Sequence, residues 1–468
     1  MGMALHLHDT LSGENELLRK PKKVLKMFAC GPTVYGPAHI GHARVEIVFD
    51  AFARHLRDAG YPLLYVQNIT DVDDKIIARA EEEGVTPQIV ARRYEKEYLA
   101  AMKELGVTSV DRRARASDFI PEMIQQIARL EKKGYAYKAA HGVYFDVRKF
   151  KGYGALSRQD LDEVRHGSRI ESDPEKRDPL DFAVWKLSAS PDEIGWQSPW
   201  GRGRPGWHIE DTAITEKLLG QQYDIHGGGI DLKFPHHECE IAQQEAASGK
   251  KPFVKVWMHV AHVTIGGAKM SKSAHNSVDV AEFLERHSAG VLRFMFMGAH
   301  YRSPMNYTEG LAAAAAAGLA NLAAFLGRAD LVALKGVASE PNPSAVTAWL
   351  APHDRAFSAA LDDDFNTPGA LGALFSFVNE CEKRIWVMSR GEAVLARNFV
   401  VKRLALFGIA IRKSPVPLLI KGYAKKREAL RAAGQFAEAD RLRTEIETAG
   451  YAVSDTPFGP LISPHAAE

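Results

Sequence analysis

The chain has 468 residues, room for about two to four domains, and its 46% apolar content is enough for a buried core. Its 60 basic and 58 acidic residues nearly cancel, which excludes a global basic field and confines any nucleic-acid surface to a local patch. Three cysteines exclude a disulfide framework, and Met1 to Asp9 lacks the basic start and apolar run of a signal peptide, so a cytoplasmic protein is expected.

Val24 to Ala29 reads as a short strand ending at Cys30-Gly31-Pro32. From Gly41 the pattern turns helical, with Val45, Val48, Phe49, Phe52 and Leu56 at 3–4 spacing. Tyr61 to Ile69 reads as the next strand, closed by a polar run from Thr70 to Lys75. Strand, helix and strand over roughly 45 residues make a βαβ crossover and hence a parallel sheet. Thr86 to Leu105 is expected to be helical. From about Val110 to Gly201 the texture becomes loop-rich, with a strand at Val143 to Val147, as an insertion would be. Strand character returns at Tyr223 to His226 and Phe253 to Val260. Helices are then expected to about Phe407, a linker at Arg412 to Pro417, and two helical segments with a looser end in the tail. Leu311 to Leu326 is alanine-dominated and contains Gly318 and Asn321; it reads as a closely packed buried helix, too short and too weakly apolar to span a bilayer.

Three motifs carry chemistry. His39 and His42 lie where the first strand hands over to a helix, whose N-terminus offers free N–H groups to phosphate oxygens. Alone, this His-x-x-His is equally a surface or metal pair. Lys269 and Lys272, in Lys-Met-Ser-Lys-Ser after Gly266-Gly267, belong to a loop whose two ammonium groups suit a departing pyrophosphate. A lone lysine loop is ordinarily just solvated. The Gly227-Gly228-Gly229 turn lets a backbone approach a ring or ribose, and Asp231 can accept from ribose hydroxyls; read alone, it is an ordinary glycine turn.

Taken in order, His39-Ile40-Gly41-His42 and the distal Lys-Met-Ser-Lys-Ser resemble the paired markers of class I aminoacyl-tRNA synthetases. Nearly the whole chain resembles the cysteinyl-tRNA synthetase family. The resemblance runs through Cys30 to Tyr35, Asn68 to Lys75, Asp181-Phe182, Gly203 to Glu210 and Phe234 to Glu238. It implies a Rossmann-like parallel-sheet catalytic domain (1–109 and 202–265) with an inserted connective subdomain (110–201). A Lys-Met-Ser-Lys-Ser and stem-contact region (266–307), a helical bundle (308–411) and a small anticodon-binding domain (412–468) follow. The implied activity is ATP-dependent activation of L-cysteine and its transfer to tRNA(Cys) by a monomer without membrane attachment. ATP would come with Mg²⁺, and one Zn²⁺ per chain would read the substrate thiol. Gly229 and Asp231 would join His39, His42, Lys269 and Lys272 around ATP, while Gly31, Thr70 and Trp207 would line the amino-acid pocket. Trp207 serves equally as a core aromatic.

The implied zinc ligands are Cys30, His236 and Glu240, with Asp211 where the family carries a second cysteine. Aspartate is an accepted zinc ligand, although it makes a harder site that rejects oxygen ligands such as serine less strictly. Two alternatives stay open: Asp211 only hydrogen-bonds and the metal is lost, or Cys239 replaces it. Neighbouring helical positions point about 100° apart, which sets Cys239 off the Glu240 face. In the tail, Arg431, Phe436, Asp440, Arg443 and Asp455 are the positions implied to read the anticodon. Phe436 stands where the family commonly has tryptophan, and the basic helical face is also what a solvated helix looks like. Asp211 keeps a second function in view, an adenylate-forming ligase with a small amine acceptor. A third is a non-catalytic tRNA-binding or amino-acid-sensing relative.

Overall fold

Five short runs, mostly apolar, pair into one all-parallel sheet in the order Val254–Val260, Tyr223–Gly229, Leu25–Ala29, Leu63–Ile69, Arg112–Arg115. The computed structural model describes residues 4–159, 161, 175–270, 276–338, 343–411 and 415–464. The first strand of the sheet is central. The chain first builds outward on one side of it and then crosses to build on the other, leaving a topological switch point at the carboxyl end of Leu25–Ala29. Register runs Met27 beside Tyr65 and Ile225, and Ala29 beside Gln67 and Gly227. Gly227 is obligatory, because a Cβ there would fall 2.2 Å from Phe49 Cζ and 2.4 Å from the Met258 carbonyl.

The helix after the first strand spans Ile40–Asp58 and buries Ile47, Val48, Phe49, Phe52 and Leu56 against the sheet. Arg44 is fully buried in it and donates to the carbonyls of Ala261, His262 and Ser303 at 3.1, 2.9 and 2.6 Å. Arg44→Met leaves those three carbonyls without their charged donor. Stability is expected to drop by about 3 kcal/mol, read as a lower urea midpoint at unchanged slope.

The expected loop-rich insertion is more regular than its sequence suggested. It contains the helix Ile120–Lys132 and an antiparallel sheet of Ala136–Lys138, Gly142–Phe145 and Phe182–Leu187, to which Gly203–Pro205, placed with the second half of the catalytic domain, adds a fourth strand. Its strands are three to six residues long and separated by long connections, so no alternating run stands out in the sequence. Arg112–Arg115, placed with the insertion, joins the parallel sheet. A further helix, Asp74–Glu83, capped by Asp73 and closed by left-handed Gly84, begins at the end of the polar run taken as a strand terminus.

The described chain divides into two compact units, one of Met1–Arg286, Tyr301–Asn306 and Asp362–Phe365, the other of the remaining residues from His287 onward. The second unit is helical, with Ala289–Met297, Glu309–Lys335, Thr367–Glu382 and Arg390–Leu406 as main members. Glu309–Lys335 corrects the reading of the alanine stretch. At 27 residues it is long and apolar enough by composition to cross a bilayer, and only one stripe, including Leu322, Phe325, Ala329 and Val332, is buried. Alanine on the opposite face leaves little apolar area for water to penalise. The unit ends in two paired helices, Leu418–Ala432 and Phe436–Thr448, and the expected loose end is instead an antiparallel pair, Tyr451–Ser454 with Leu461–Pro464. Ile420, Ala424, Ile446 and Val453 form the core of this end.

Candidate active site

At the switch point the chain leaves the central strand through Cys30. The Cys30 amide donates to the Gly227 carbonyl at 2.9 Å, and the Gly31 amide donates to Asn68 Oδ1 at 2.6 Å. A Cβ on Gly31 would stand 1.9 Å from the Asn68 carbonyl, so only glycine lets the two strand ends come this close. Cys30 is thereby aimed into a buried centre between the sheet and two helices.

Asp211 comes from the helix Trp207–Leu218, and His236 and Glu240 share a face of the helix His236–Ser248. The structure brings all four expected ligands together, with donor atoms within 4.8 Å of one another and all four side chains buried. Asp211 Oδ2 stands 3.3 Å from Cys30 Sγ and 3.0 Å from His236 Nε2. His236 Nε2 lies 3.2 Å from Glu240 Oε1.

Two histidines absent from the expected set complete a second group, Cys30, His226, His237 and Glu240, within the same 4.8 Å limit. Cys30 Sγ is 3.1 Å from His237 Nε2 and 3.5 Å from His226 Nε2, which in turn lies 3.6 Å from Glu240 Oε2. Each inward-facing histidine is held from behind: His226 Nδ1 by the Tyr223 hydroxyl at 2.5 Å, His237 Nδ1 by His259 Nε2 at 2.8 Å, His236 Nδ1 by His208 Nδ1 at 2.9 Å. The adjacent His236-His237 pair and the histidine opening the glycine turn were the only sequence signals for this. Cys239 belongs to neither group; its sulfur faces the Tyr153 hydroxyl at 3.3 Å.

The donor chemistry fits a cation. Asp211 Oδ1 and both Glu240 carboxylate oxygens are buried without a hydrogen bond, an arrangement that costs free energy unless a cation answers it. Burial, and then the charges of Asp211 and Glu240, push the Cys30 thiol well above its usual range. Burial, followed by the charge of Asp211, does the same to the Glu240 carboxyl. His226 and His237 are pushed well below the ordinary imidazole value by burial, which keeps their ring nitrogens free to act as donors. Thiolate, imidazole and carboxylate together are the ligand classes of zinc.

Around this centre lie the other expected amino-acid contacts. Thr70 donates to Glu210, whose Oε1 also accepts from Asn68 Nδ2 at 3.3 Å. Burial and then the charge of Asp211 push the Glu210 carboxyl well up. Glu210 sits beside Asp211 in the sequence, yet its link to Thr70 could not be read there. Trp207 is no core residue: it is 38% exposed and stacks on the His236 ring at a centroid distance of 4.2 Å.

The phosphate-type motifs gather near the same edge. His39 caps the helix Ile40–Asp58, its Nδ1 accepting from the His42 amide at 3.3 Å, and the two imidazoles stack with centroids 3.7 Å apart. Lys269 Nζ donates to Asp231 Oδ2 at 2.9 Å. Burial raises the Asp231 carboxyl, but the hydrogen bond and charge of Lys269 outweigh it and hold the group below its ordinary value. Gly229 immediately precedes the turn Ile230–Lys233 that carries Asp231. A Cβ on Gly41 would lie 3.7 Å from Met270 Sδ, so the lysine loop lies against the start of the histidine helix. Lys272 falls outside the described residues.

In the C-terminal helices, Phe436 is 56% exposed with the Arg431 guanidinium 5.8 Å from its ring centroid, while Leu442 and Ile446 are buried. Asp440 and Arg443 are exposed, and Arg443 donates to Glu447 at 2.8 Å. Asp455 is engaged with the buried Arg427 at 2.5 Å and with Arg431 at 3.5 Å; the Arg427 hydrogen bond holds its carboxyl below the ordinary range.

Comparison with known proteins agrees with this geometry. Residues 17–317 match the family model of the tRNA synthetases class I (C) catalytic domain, and residues 356–409 match the DALR domain. The cysteine–tRNA ligase of Cupriavidus taiwanensis is 43% identical over 473 residues, covering 97% of this chain and 98% of that protein. That of Laribacter hongkongensis is 44% identical over 469 residues, covering 96% and 98%. Among solved structures, the methionyl-tRNA synthetase of Mycobacterium tuberculosis in complex with methionyl-adenylate superposes with a TM-score of 0.62 at 18% identity, covering 82% of this chain and 90% of that one, which is a likeness of fold.

Proposed function

The chain belongs to the cysteine–tRNA ligase family of class I aminoacyl-tRNA synthetases, and on that premise we propose that it activates L-cysteine with ATP and transfers it to tRNA(Cys), as a cytoplasmic monomer. The cysteine carboxylate attacks the α-phosphorus of ATP, and the bond to the bridging oxygen breaks to release pyrophosphate. A ribose hydroxyl of the terminal adenosine of tRNA then attacks the acyl carbon, loses its proton and displaces AMP. The protein's part is positioning and electrostatics. His39 and His42 donate to phosphate oxygens from a helix start, Lys269 and Lys272 answer the charge of the departing pyrophosphate, and Asp231 beside Gly229 accepts from ribose hydroxyls. Mg²⁺ accompanies ATP and offsets phosphate charge. Gly31, Thr70 and Trp207 surround the amino acid.

The single observation that carries this reading is Cys30, buried at the switch point with Asp211, His236 and Glu240 converging on it. A zinc ion there supplies a soft Lewis-acid position that favours a thiolate sulfur over a hydroxyl oxygen. Cys30 and Glu240 belong to both donor sets and would hold the ion in either. Apolar contacts alone separate cysteine from its one-atom isostere poorly, which is why a cation-binding floor suits this substrate.

Amino-acid-dependent ATP–pyrophosphate exchange tests the reading, using cysteine, serine and a panel of other amino acids in zinc-replete buffer. Exchange with cysteine is expected; exchange only with another amino acid would overturn the substrate assignment. At the tRNA end, Arg431, Phe436, Asp440, Arg443 and Asp455 are proposed to meet the anticodon. Phe436→Ala removes an exposed stacking surface and is expected to weaken tRNA binding by roughly 5- to 150-fold. Pyrophosphate exchange should not change.

A further inference from the structure

Two segments border the amino-acid pocket, and two ties join them. One runs from Thr70 to Asp74, the other from Arg204 to Glu210 with Trp207 midway. The inner tie is the buried hydrogen bond from Thr70 to Glu210. The outer tie is made by Asp74, the first residue of the helix Asp74–Glu83. It accepts from Arg204 Nη2 at 2.5 Å on one carboxylate oxygen and from Lys186 Nζ on the other. We propose that this outer tie is a clasp that holds Trp207 over the amino-acid pocket, with Asp74 as a positioning residue for cysteine binding. The proposal rests on reading the pocket as that of a cysteine ligase.

The backbone explains how a contact at Arg204 reaches Trp207. Gly203–Pro205 pairs with Phe182–Leu187, and Lys186 stands opposite Arg204 in register, so both cations project from one face of the pair. The Gly206 amide donates to the Val184 carbonyl at 3.0 Å, and a Cβ on Gly206 would stand 1.9 Å from the Ala183 carbonyl. The strand end therefore moves with its neighbour, and Trp207 follows it directly as the first residue of the helix Trp207–Leu218. Its ring, partly exposed, rests on His236.

The two ties differ in what water can reach. Thr70 and Glu210 are buried, whereas Asp74 is exposed and Lys186 partly so. A solvated ion pair is weak enough to open and close, so amino acid can enter past a released Trp207 while the inner tie keeps the pocket assembled. Burial raises the Asp74 carboxyl, but the hydrogen bonds of Arg204 and Lys186 outweigh it and hold the group below its ordinary value. The clasp is therefore charged at neutral pH. Each cation already has its own carboxylate oxygen, which leaves positioning rather than anion capture as its role.

Asp74→Asn in the full chain tests this, because the amide keeps the shape of the side chain and removes its charge. The KM for cysteine in pyrophosphate exchange is expected to rise roughly 3- to 20-fold, about what two exposed ion pairs contribute, with the KM for ATP unchanged. KM does not depend on the folded fraction, so partial unfolding cannot mimic the result. Trp207→Ala should raise the same KM, and adding D74N to W207A should cost nothing further, because a residue acting through Trp207 has no effect once the ring is gone. Hydrogen exchange at residues 203–210, which needs no activity, should quicken in D74N. An unchanged cysteine KM, an equal D74N effect without the Trp207 ring, or unaltered hydrogen exchange would each overturn the clasp and leave the ligase reading standing. So would a loss confined to transfer to tRNA, which would assign both cations to RNA phosphates. Absence of cysteine-dependent exchange in the unaltered chain would overturn both.

Discussion

Replacing Cys30 by alanine is expected to strip the centre of bound zinc and to remove cysteine-dependent pyrophosphate exchange, with ATP binding retained. Cys30 supplies the sulfur to both donor sets, and both collect around the end of one strand. Loss of an outer partner costs a metal site roughly 10–100-fold in affinity, so loss of the only protein thiolate in the centre should exceed that range. The substitution also leaves Asp211, Glu240 and the histidines buried around a small void, and a fall in stability will accompany the loss. Two readings separate function from folding. Zinc content of the purified, folded variant should fall from one per chain to near zero. ATP binding, which uses the far end of the strand-to-helix turn at His39 and His42, should stay within the wild-type range. A variant that keeps its zinc and its exchange activity would show that Cys30 is a packing residue.

Lys269→Ala is expected to reduce the rate of adenylate formation by on the order of 100- to 1000-fold, with little change in cysteine binding. Its ammonium group is half-exposed and reaches Asp231 across 2.9 Å. That pairing places a cation beside the turn proposed to hold the ribose, and a charge acting mainly on departing pyrophosphate lowers the transition state more than the ground state. Single-turnover formation of the adenylate, measured beside equilibrium binding of cysteine, distinguishes the cases. Equal losses in both would mean that Lys269 only shapes the pocket through Asp231. Lys269→Arg keeps the charge but changes the geometry, and it should recover part of the rate.

Much of the site could be read along the chain because its chemistry is local. His39 to His42 sit one helical turn apart at a strand-to-helix junction, and the structure makes His39 the cap of that helix. His236 and Glu240 lie one turn apart on a single helix. Cys30, just past the end of an apolar strand, had to emerge at the carboxyl end of the sheet. The insertion was less legible, since its short strands gain their partners from residues tens of positions away. Glu210 escaped notice for a similar reason: its tie to Thr70 spans 140 positions, and a glutamate beside an aspartate reads as a polar helix face until both prove buried.

Sequence alone determined the first crossover and its parallel sheet, because hydrophobic period is a property of neighbouring residues; the class of chemistry and the four residues that could hold a cation came from the family resemblance that its motifs carry. Only the tertiary structure decided the strand order that puts Cys30 at the switch point, the pairing of Lys269 with Asp231, and the approach of His226 and His237 to the same sulfur. These depend on which distant segments share a buried space. Cys30 and His237 are 207 positions apart along the chain and 3.1 Å apart in the fold, and no local pattern encodes that distance.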